Sequence, residues 1–269
     1  MSTPLPTPAG IAGPTKQTLR NVWSPQLRNS RNVDVYLPPS YETGSRHPVV
    51  YMHDGQNLSD PSIAFAGTWG LDAVVADLAG KGIEPIIVGV HNTERRLAEY
   101  SPFPDPARGG GNGHAYLLFL IHTLKPRIDR RYRTDPSPLQ TAIVGSSMGG
   151  LISLYAWLRR PDVFGLAGVM SPSLWFGRDR LFAFVERAVM PSGRFYLDVG
   201  TGEGESTLRD SRALREVLQA KVPREHVPAR YLEDEGAGHD EAAWGRRLGG
   251  VLEFLLAPDR APGDDSAPR

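Results

Sequence analysis

Between residues 140 and 159 a strand-like run hands over to helical spacing across a short hinge, Gly145-Ser146-Ser147-Met148-Gly149-Gly150. Gln140–Val144 is the apolar, β-branched stretch, and Met148–Arg159 carries its apolar residues on a helical period. A strand that runs straight into a helix must return to its sheet by a crossover, which makes the next strand parallel. The same alternation extends along the chain. Strands are predicted at Lys16–Val22, Asn32–Leu37, Pro48–His53, Pro85–Val90, Leu166–Met170, Arg194–Val199 and Ala229–Glu233. Helices are predicted at Leu71–Leu78, Ala115–Ile128, Arg180–Val189, Leu208–Ala220 and Glu241–Leu255. The expectation is an α/β fold, with a mostly parallel central sheet and helices on both faces in a three-layer sandwich. The first two strands have no helix between them and are expected to pair as an antiparallel hairpin at one edge. No linker or repeat divides residues 16–257, so one domain is expected. Residues 1–15 and 258–269, rich in Pro, Gly and polar residues, are expected to be flexible tails.

Composition narrows the function classes. The formal net charge is zero, which gives no electrostatic case for nucleic acid or an anionic membrane as partner. The chain has no cysteine, which excludes disulfides, thiolate metal sites and a cysteine nucleophile. Met1 to Gln17 lacks the basic and apolar regions of a signal peptide, and no stretch approaches the roughly 18 apolar residues of a membrane span. A cytoplasmic location is the expectation; the oligomeric state is left open.

The hinge carries the chemistry. Gly-x-Ser-x-Gly between a strand and a helix forces its serine into a strained turn, so that Oγ of Ser147 projects above the sheet. The N–H of Met148 then points towards a developing oxyanion, aided by the positive end of the helix that starts there. A serine hydroxyl needs a base. Of seven histidines, His239 stands in the loop Gly236-Ala237-Gly238-His239-Asp240, between the last strand and the last helix. The order Ser, acid, His places the base there. His53, at a strand end, is the rival; His47, His91, His114, His122 and His226 read as structural or solvated. The acid is expected just past Arg194–Val199, in Gly200-Thr201-Gly202-Glu203-Gly204-Glu205, with Glu203 preferred, Glu205 the alternate and Asp198 structural. The second oxyanion donor is expected at Gln56 N–H in Asp54-Gly55-Gln56-Asn57, where Gly55 lets the backbone approach a substrate carbonyl. Trp69 and Trp175 are expected to border the pocket; Arg95, Arg96 and Glu99 either meet a polar substrate or are solvated.

Taken in order, several segments resemble the esterase D family. They are Ser24-Pro25-Gln26-Leu27, Arg31–Tyr41, Tyr51–Asn57, Glu99-Tyr100-Ser101-Pro102, Gly145–Leu151, Ser171-Pro172-Ser173-Leu174-Trp175, and Gly238-His239-Asp240 before Trp244. The likeness covers residues 16–257. It implies the α/β-hydrolase fold and a serine carboxylesterase with Ser147 and His239 as nucleophile and base. The family includes siderophore esterases, feruloyl and acetyl xylan esterases, S-formylglutathione hydrolases and mycolyl transferases. Feruloyl esterases of the family carry Gly-Thr-x-Asp where this chain has Gly200-Thr201-Gly202-Glu203, which favours Glu203 over Glu205; some siderophore esterases use a Ser–His dyad. One subgroup continues His-Asp-Gly-Gln-Asn with Leu-Phe, whereas this chain has Leu58-Ser59, a polar residue expected to change the pocket wall. No metal or organic cofactor is implied. An acyltransferase with the same triad and a non-catalytic binding protein are the rival readings.

Overall fold

The computed structural model describes residues 14–221 and 229–257. His226, residues 1–13 and the C-terminal tail lie outside the described residues. Eight strands form the main sheet: β1 (Thr15–Ser24), β2 (Asn29–Leu37), β3 (Val49–His53), β4 (Ile86–Val90), β5 (Thr141–Ser146), β6 (Leu166–Met170), β7 (Phe195–Gly200) and β8 (Ala229–Asp234). Their spatial order is β1-β2-β4-β3-β5-β6-β7-β8. From β4 to β8 every pairing is parallel. The β1–β2 and β2–β4 pairings are antiparallel, so the edge hairpin is present. Its register shifts between Leu19 and Val22, where Asn21 takes a φ of 49°. Thr15, expected in the tail, opens β1.

Strands β3 to β7 are buried along their whole length. This is why they read as continuous apolar runs, as strands covered on both faces do. Alternate residues feed two cores. Val49 and Tyr51 of β3 point to one side, with Ile86, Val88, Ile143 and Leu197. That side is covered by α3 (Gly113–Phe119), α4 (Lys125–Arg131), α5 (Met148–Arg159), α6 (Arg178–Arg187) and α7 (Glu205–Lys221). Val50 and Met52 point to the other, where α1 (Leu71–Gly80) and α8 (Glu241–Leu256) lie. The fold is the three-layer α/β arrangement.

The helix expected at 115–128 begins at Gly113 and is broken by a π turn at Leu120–Leu124 before it resumes as α4. Pro126 accounts for the break: it has no N–H to donate back, and a π turn absorbs the lost bond. The irregular stretch 92–113 holds one turn of helix, Arg96–Glu99, and a two-residue ladder between Pro104–Asp105 and Gly109–Gly110. Among the described residues no helix is long and apolar enough to cross a membrane.

The edge hairpin is pinned by Asp34. Its carboxylate accepts from Thr18 Oγ1 at 2.6 Å and His91 Nε2 at 2.9 Å, with Lys16 Nζ at 3.1 Å. Burial works to raise its pKa, but these partners outweigh burial and hold it at about 2, below its ordinary 3.8. A carboxyl whose native pKa lies below its unfolded one stabilises the fold above the unfolded value and ceases to as pH falls through the native one. Asp34→Asn is therefore expected to cost on the order of 1–2 kcal/mol in urea unfolding at pH 7, a penalty that fades between about pH 4 and 2. A cost that stays constant across that interval would contradict the assignment.

Candidate active site

Three residues other than glycine enter the left-handed region at the carboxyl ends of neighbouring strands: Asp54 after β3 (φ 56°), Ser147 after β5 (φ 57°) and Ser171 after β6 (φ 41°). Such conformations cost of order 1–3 kcal/mol each and persist where the surroundings impose them. At Ser147 the imposition is visible. A Cβ on Gly145 would lie 2.7 Å from the carbonyl carbon of Gly149 and 2.8 Å from Cδ2 of His53, so the elbow closes only over glycine. Ser147 has φ 57° and ψ −123° and stands directly before α5.

Its hydroxyl meets His239 Nε2 at 3.0 Å. His239 Nδ1 lies 2.7 Å from Glu203 Oε2. The histidine follows β8 and precedes Asp240, whose side chain caps α8 by accepting from Ala243 N–H at 2.9 Å. Glu203 ends a short turn after β7, and its second oxygen accepts from Gly200 N–H at 2.7 Å and from Ser171 Oγ at 2.5 Å. Burial acts to raise the Glu203 pKa, but hydrogen bonds from His239, Ser171 and Gly200 hold it below the ordinary carboxylate value. Glu205 sits exposed in the first turn of α7, away from the histidine.

The rival histidine is elsewhere. His53 is buried against Tyr100 and Tyr116, with Nδ1 at 3.0 Å from the Tyr116 hydroxyl. Burial pushes its pKa down to about 3, so it stays neutral. Of the others, His47 bonds the Glu84 carbonyl, His91 bonds Asp34, His114 faces Tyr155 and His122 is exposed.

Two N–H groups expected as oxyanion donors flank the serine. Met148 opens α5, whose first N–H groups have no intrahelical acceptor. Gln56 lies in the turn Gly55–Asn57, with its side-chain oxygen held by Asn92 N–H at 3.1 Å. Neither backbone N–H has an acceptor among the described residues. Glycine at 55 is demanded by β4 rather than by a substrate: a Cβ there would lie 2.4 Å from the carbonyl of Gly89.

A cavity of about 420 Å³ opens over Ser147 and His239, lined also by Gln56, Trp69, Arg96, Asn92, Phe65 and Trp244. Trp69 and Trp244 pack with ring centroids 5.9 Å apart, and Trp244 meets the His239 ring edge-on at 4.9 Å. Arg96 reaches the cavity, but Asp54 grips it bidentately at 2.7 and 2.9 Å, so its charge is already matched.

Of the pocket expectations Glu99 is corrected, and Trp175 and Ser59 lie outside the lining of this cavity. Glu99 is buried, paired with Arg31 at 2.9 Å and bonded by Asn29 Nδ2 at 2.6 Å; it fastens the hairpin to the 92–113 stretch and does not line the cavity. Trp175 is half-exposed outside this cavity, with the Arg108 guanidinium 5.2 Å from its ring. Ser59 turns to the Tyr36 hydroxyl at 2.8 Å and is not among the residues that line this cavity. Ser171, Ser173 and Arg247 also belong to the site, though no sequence motif assigns any of them a role. Ser173 Oγ lies 3.2 Å from Ser147 Oγ, and Arg247 supports Ser171. Both serines fall within the Ser171–Trp175 segment, which was the available signal.

Residues 24–255 match the family model described as "Putative esterase". The chain belongs to that family. Its esterase relatives include the endo-1,4-beta-xylanase/feruloyl esterase of Xylanibacter ruminicola, 28% identical over 87% of this chain and 30% of that protein. The ferri-bacillibactin esterase BesA of Bacillus subtilis is 24% identical over 87% of this chain and 89% of its own length. The uncharacterized protein YbbA of the same organism is 27% identical over 86% and 95%. Among solved structures, the BES protein of Bacillus cereus superposes with a TM-score of 0.75 over 96% of this chain and all of its own, at 20% identity. The sheet order and helical layers of this esterase family member are thus those of α/β-hydrolase-fold esterases, and ester hydrolysis is the activity the family supports.

Proposed function

We propose that the chain is a serine carboxylesterase acting on small-molecule esters through an acyl-enzyme, with acetyl, feruloyl and siderophore-type esters as the substrate classes. The observation that carries this reading is the row Ser147 Oγ–His239 Nε2–Glu203, linked at 3.0 and 2.7 Å on a strained elbow beneath an open cavity. In this reading His239 Nε2 takes the Ser147 proton as Oγ bonds to the ester carbonyl carbon. The Met148 and Gln56 N–H groups receive the negative charge that gathers on the carbonyl oxygen. The bond to the leaving alcohol breaks and that oxygen collects the proton from His239. A water, deprotonated by the same nitrogen, then attacks the acyl carbon, and Ser147 departs with its proton restored. Glu203 keeps the His239 proton on Nδ1 and balances the imidazolium.

Water as the acyl acceptor is supported by the exposure of the His239 side chain, 41% accessible beside the serine. The relatives' names support feruloyl and siderophore esters, and a cavity of about 420 Å³ suits a ligand of that size better than a polymer. A fluorophosphonate probe is expected to add one covalent mass to the protein, mapping by peptide mass spectrometry to Ser147 and absent from Ser147→Ala. Labelling at another residue, or none, would remove the basis for the mechanism. A panel of acetyl, feruloyl and siderophore-type esters, compared by kcat/KM, then orders the substrate classes.

A further inference from the structure

The hydroxyl of Ser171 sits where three hydrogen bonds meet, and the direction of each is forced. Trp244 Nε1 lies 3.0 Å from Ser171 Oγ, and Arg247 Nη2 lies 3.0 Å from it. An indole N–H and a guanidinium can only donate, so together they take both lone pairs of the hydroxyl. Ser171 is fully buried, and its single proton has one acceptor left, Glu203 Oε1 at 2.5 Å. Gly200 N–H donates to the same oxygen at 2.7 Å. Arg247 cannot swing away, because Asp198 holds Nε at 2.9 Å and Nη2 at 3.2 Å while Asp234 holds Nη1 at 2.9 Å. Nor can the serine readily turn, since its N–H is held by the carbonyl and the carboxylate of Asp198 at 2.9 and 3.1 Å.

We propose that Ser171 is a positioning residue: Trp244 and Arg247 fix its proton on Glu203 Oε1, and this holds the carboxylate with its other oxygen facing His239 Nδ1. The ionised carboxylate can only accept, so the Nδ1–H tautomer follows from Glu203 itself, and Ser171 sets the orientation in which the histidine meets it. The inference rests on the reading of Ser147, His239 and Glu203 as the reacting row.

Its consequence appears when glutamine replaces Glu203. Two donors already point at the Oε1 position, so the carbonyl oxygen of the amide must sit there and its NH2 group must face His239 Nδ1. That nitrogen then has to accept, the imidazole proton moves to Nε2, and Nε2 can no longer take the proton of Ser147. Without the lock the amide would simply rotate by half a turn and present its oxygen to Nδ1–H. Glu203→Ala leaves a gap that a water can fill as acceptor, and the productive tautomer survives.

The test measures kcat and KM on p-nitrophenyl acetate for Glu203→Gln, Glu203→Ala, Ser171→Ala and Ser171→Ala/Glu203→Ala. Glu203→Gln is expected to be at least about 10-fold slower in kcat than Glu203→Ala, since a wrong tautomer alone can cost up to about 10⁴-fold. Ser171→Ala is expected to lower kcat about 10- to 30-fold with KM within about twofold, and to cost less than about threefold once Glu203 is alanine. In ¹⁵N spectra of Glu203→Gln the protonated His239 nitrogen should be Nε2, against Nδ1 in the parent. A glutamine variant as active as the alanine one, or equal costs of Ser171→Ala in both backgrounds, would overturn the lock. The glutamine–alanine comparison needs no change at 171, so it decides even where Ser171→Ala does not fold. If Ser147→Ala keeps parental turnover, the underlying mechanism falls; if that variant is inert while the Glu203 order is reversed, only the lock falls.

Discussion

Ser147→Ala is expected to lower kcat on p-nitrophenyl acetate by about 10⁴-fold or more while leaving the fold intact. The hydroxyl oxygen is the only heavy atom removed, and among the described residues its hydrogen bonds are to His239 Nε2 and Ser173 Oγ, so packing hardly changes. On the proposed mechanism the two N–H groups and the cavity remain, and they are expected to set a floor above the uncatalysed rate. Ser147→Gly sharpens the measurement. It is expected to be equally inert but to unfold at a higher urea concentration, since glycine accepts a φ of 57° at little cost. Activity and stability moving in opposite directions would mark the elbow as a place where the fold carries strain for chemistry. Parental turnover in Ser147→Ala would end the serine mechanism.

Arg247→Met is expected to destabilise the protein by about 3–5 kcal/mol, the range for removing one partner of a buried ion pair. The Arg247 side chain is 4% exposed and that of Asp198 is wholly buried, with 2.9 Å between them. Burial pushes the Asp198 carboxyl up to about 6, against the pull of Arg247. The sign follows. A carboxyl raised above its unfolded value can be protonated in the native state at mildly acidic pH, and its ionisation costs stability as pH climbs through the native value. The penalty of Arg247→Met is therefore expected to be larger at pH 8 than at pH 5, and Asp198→Asn is expected to restore part of it at pH 8. Urea unfolding at the two pH values measures both. A penalty that is independent of pH and unrelieved by Asp198→Asn would show that Arg247 contributes packing rather than charge.

The architecture was legible in the sequence because parallel strands buried on both faces advertise themselves. Val49–His53 and Ile86–Val90 have no exposed residue, and each appears as an apolar run between turn residues. The helix expected through 115–128 is present within Gly113–Arg131, and only the π segment at Leu120–Leu124 was not legible, because a π turn leaves the apolar period almost undisturbed. The proximity of Ser147, Glu203 and His239 could be anticipated since each follows a strand in glycine-rich surroundings, and sheet order brings those ends together. Glu99 could not be placed. A carboxylate between loop residues looks solvated until Arg31 is found against it. Trp244 and Arg247 occupy helical positions and read as ordinary members of α8; only contact across 76 residues reveals what Arg247 does to Ser171. The sequence shows which residues carry chemistry when they sit at strand ends, and it hides those that act through another residue's hydroxyl.

The placement of Arg247 and Trp244 on α8 also bears on where along the chain the site is completed. The elbow, Glu203 and His239 all precede in the chain the helix that braces them, and so does Asp198, whose counter-charge is Arg247 on that helix. A chain halted before residue 244 thus holds Ser147, Glu203 and His239 without Trp244 and Arg247. The order of that row should therefore depend on the docking of α8 against the sheet.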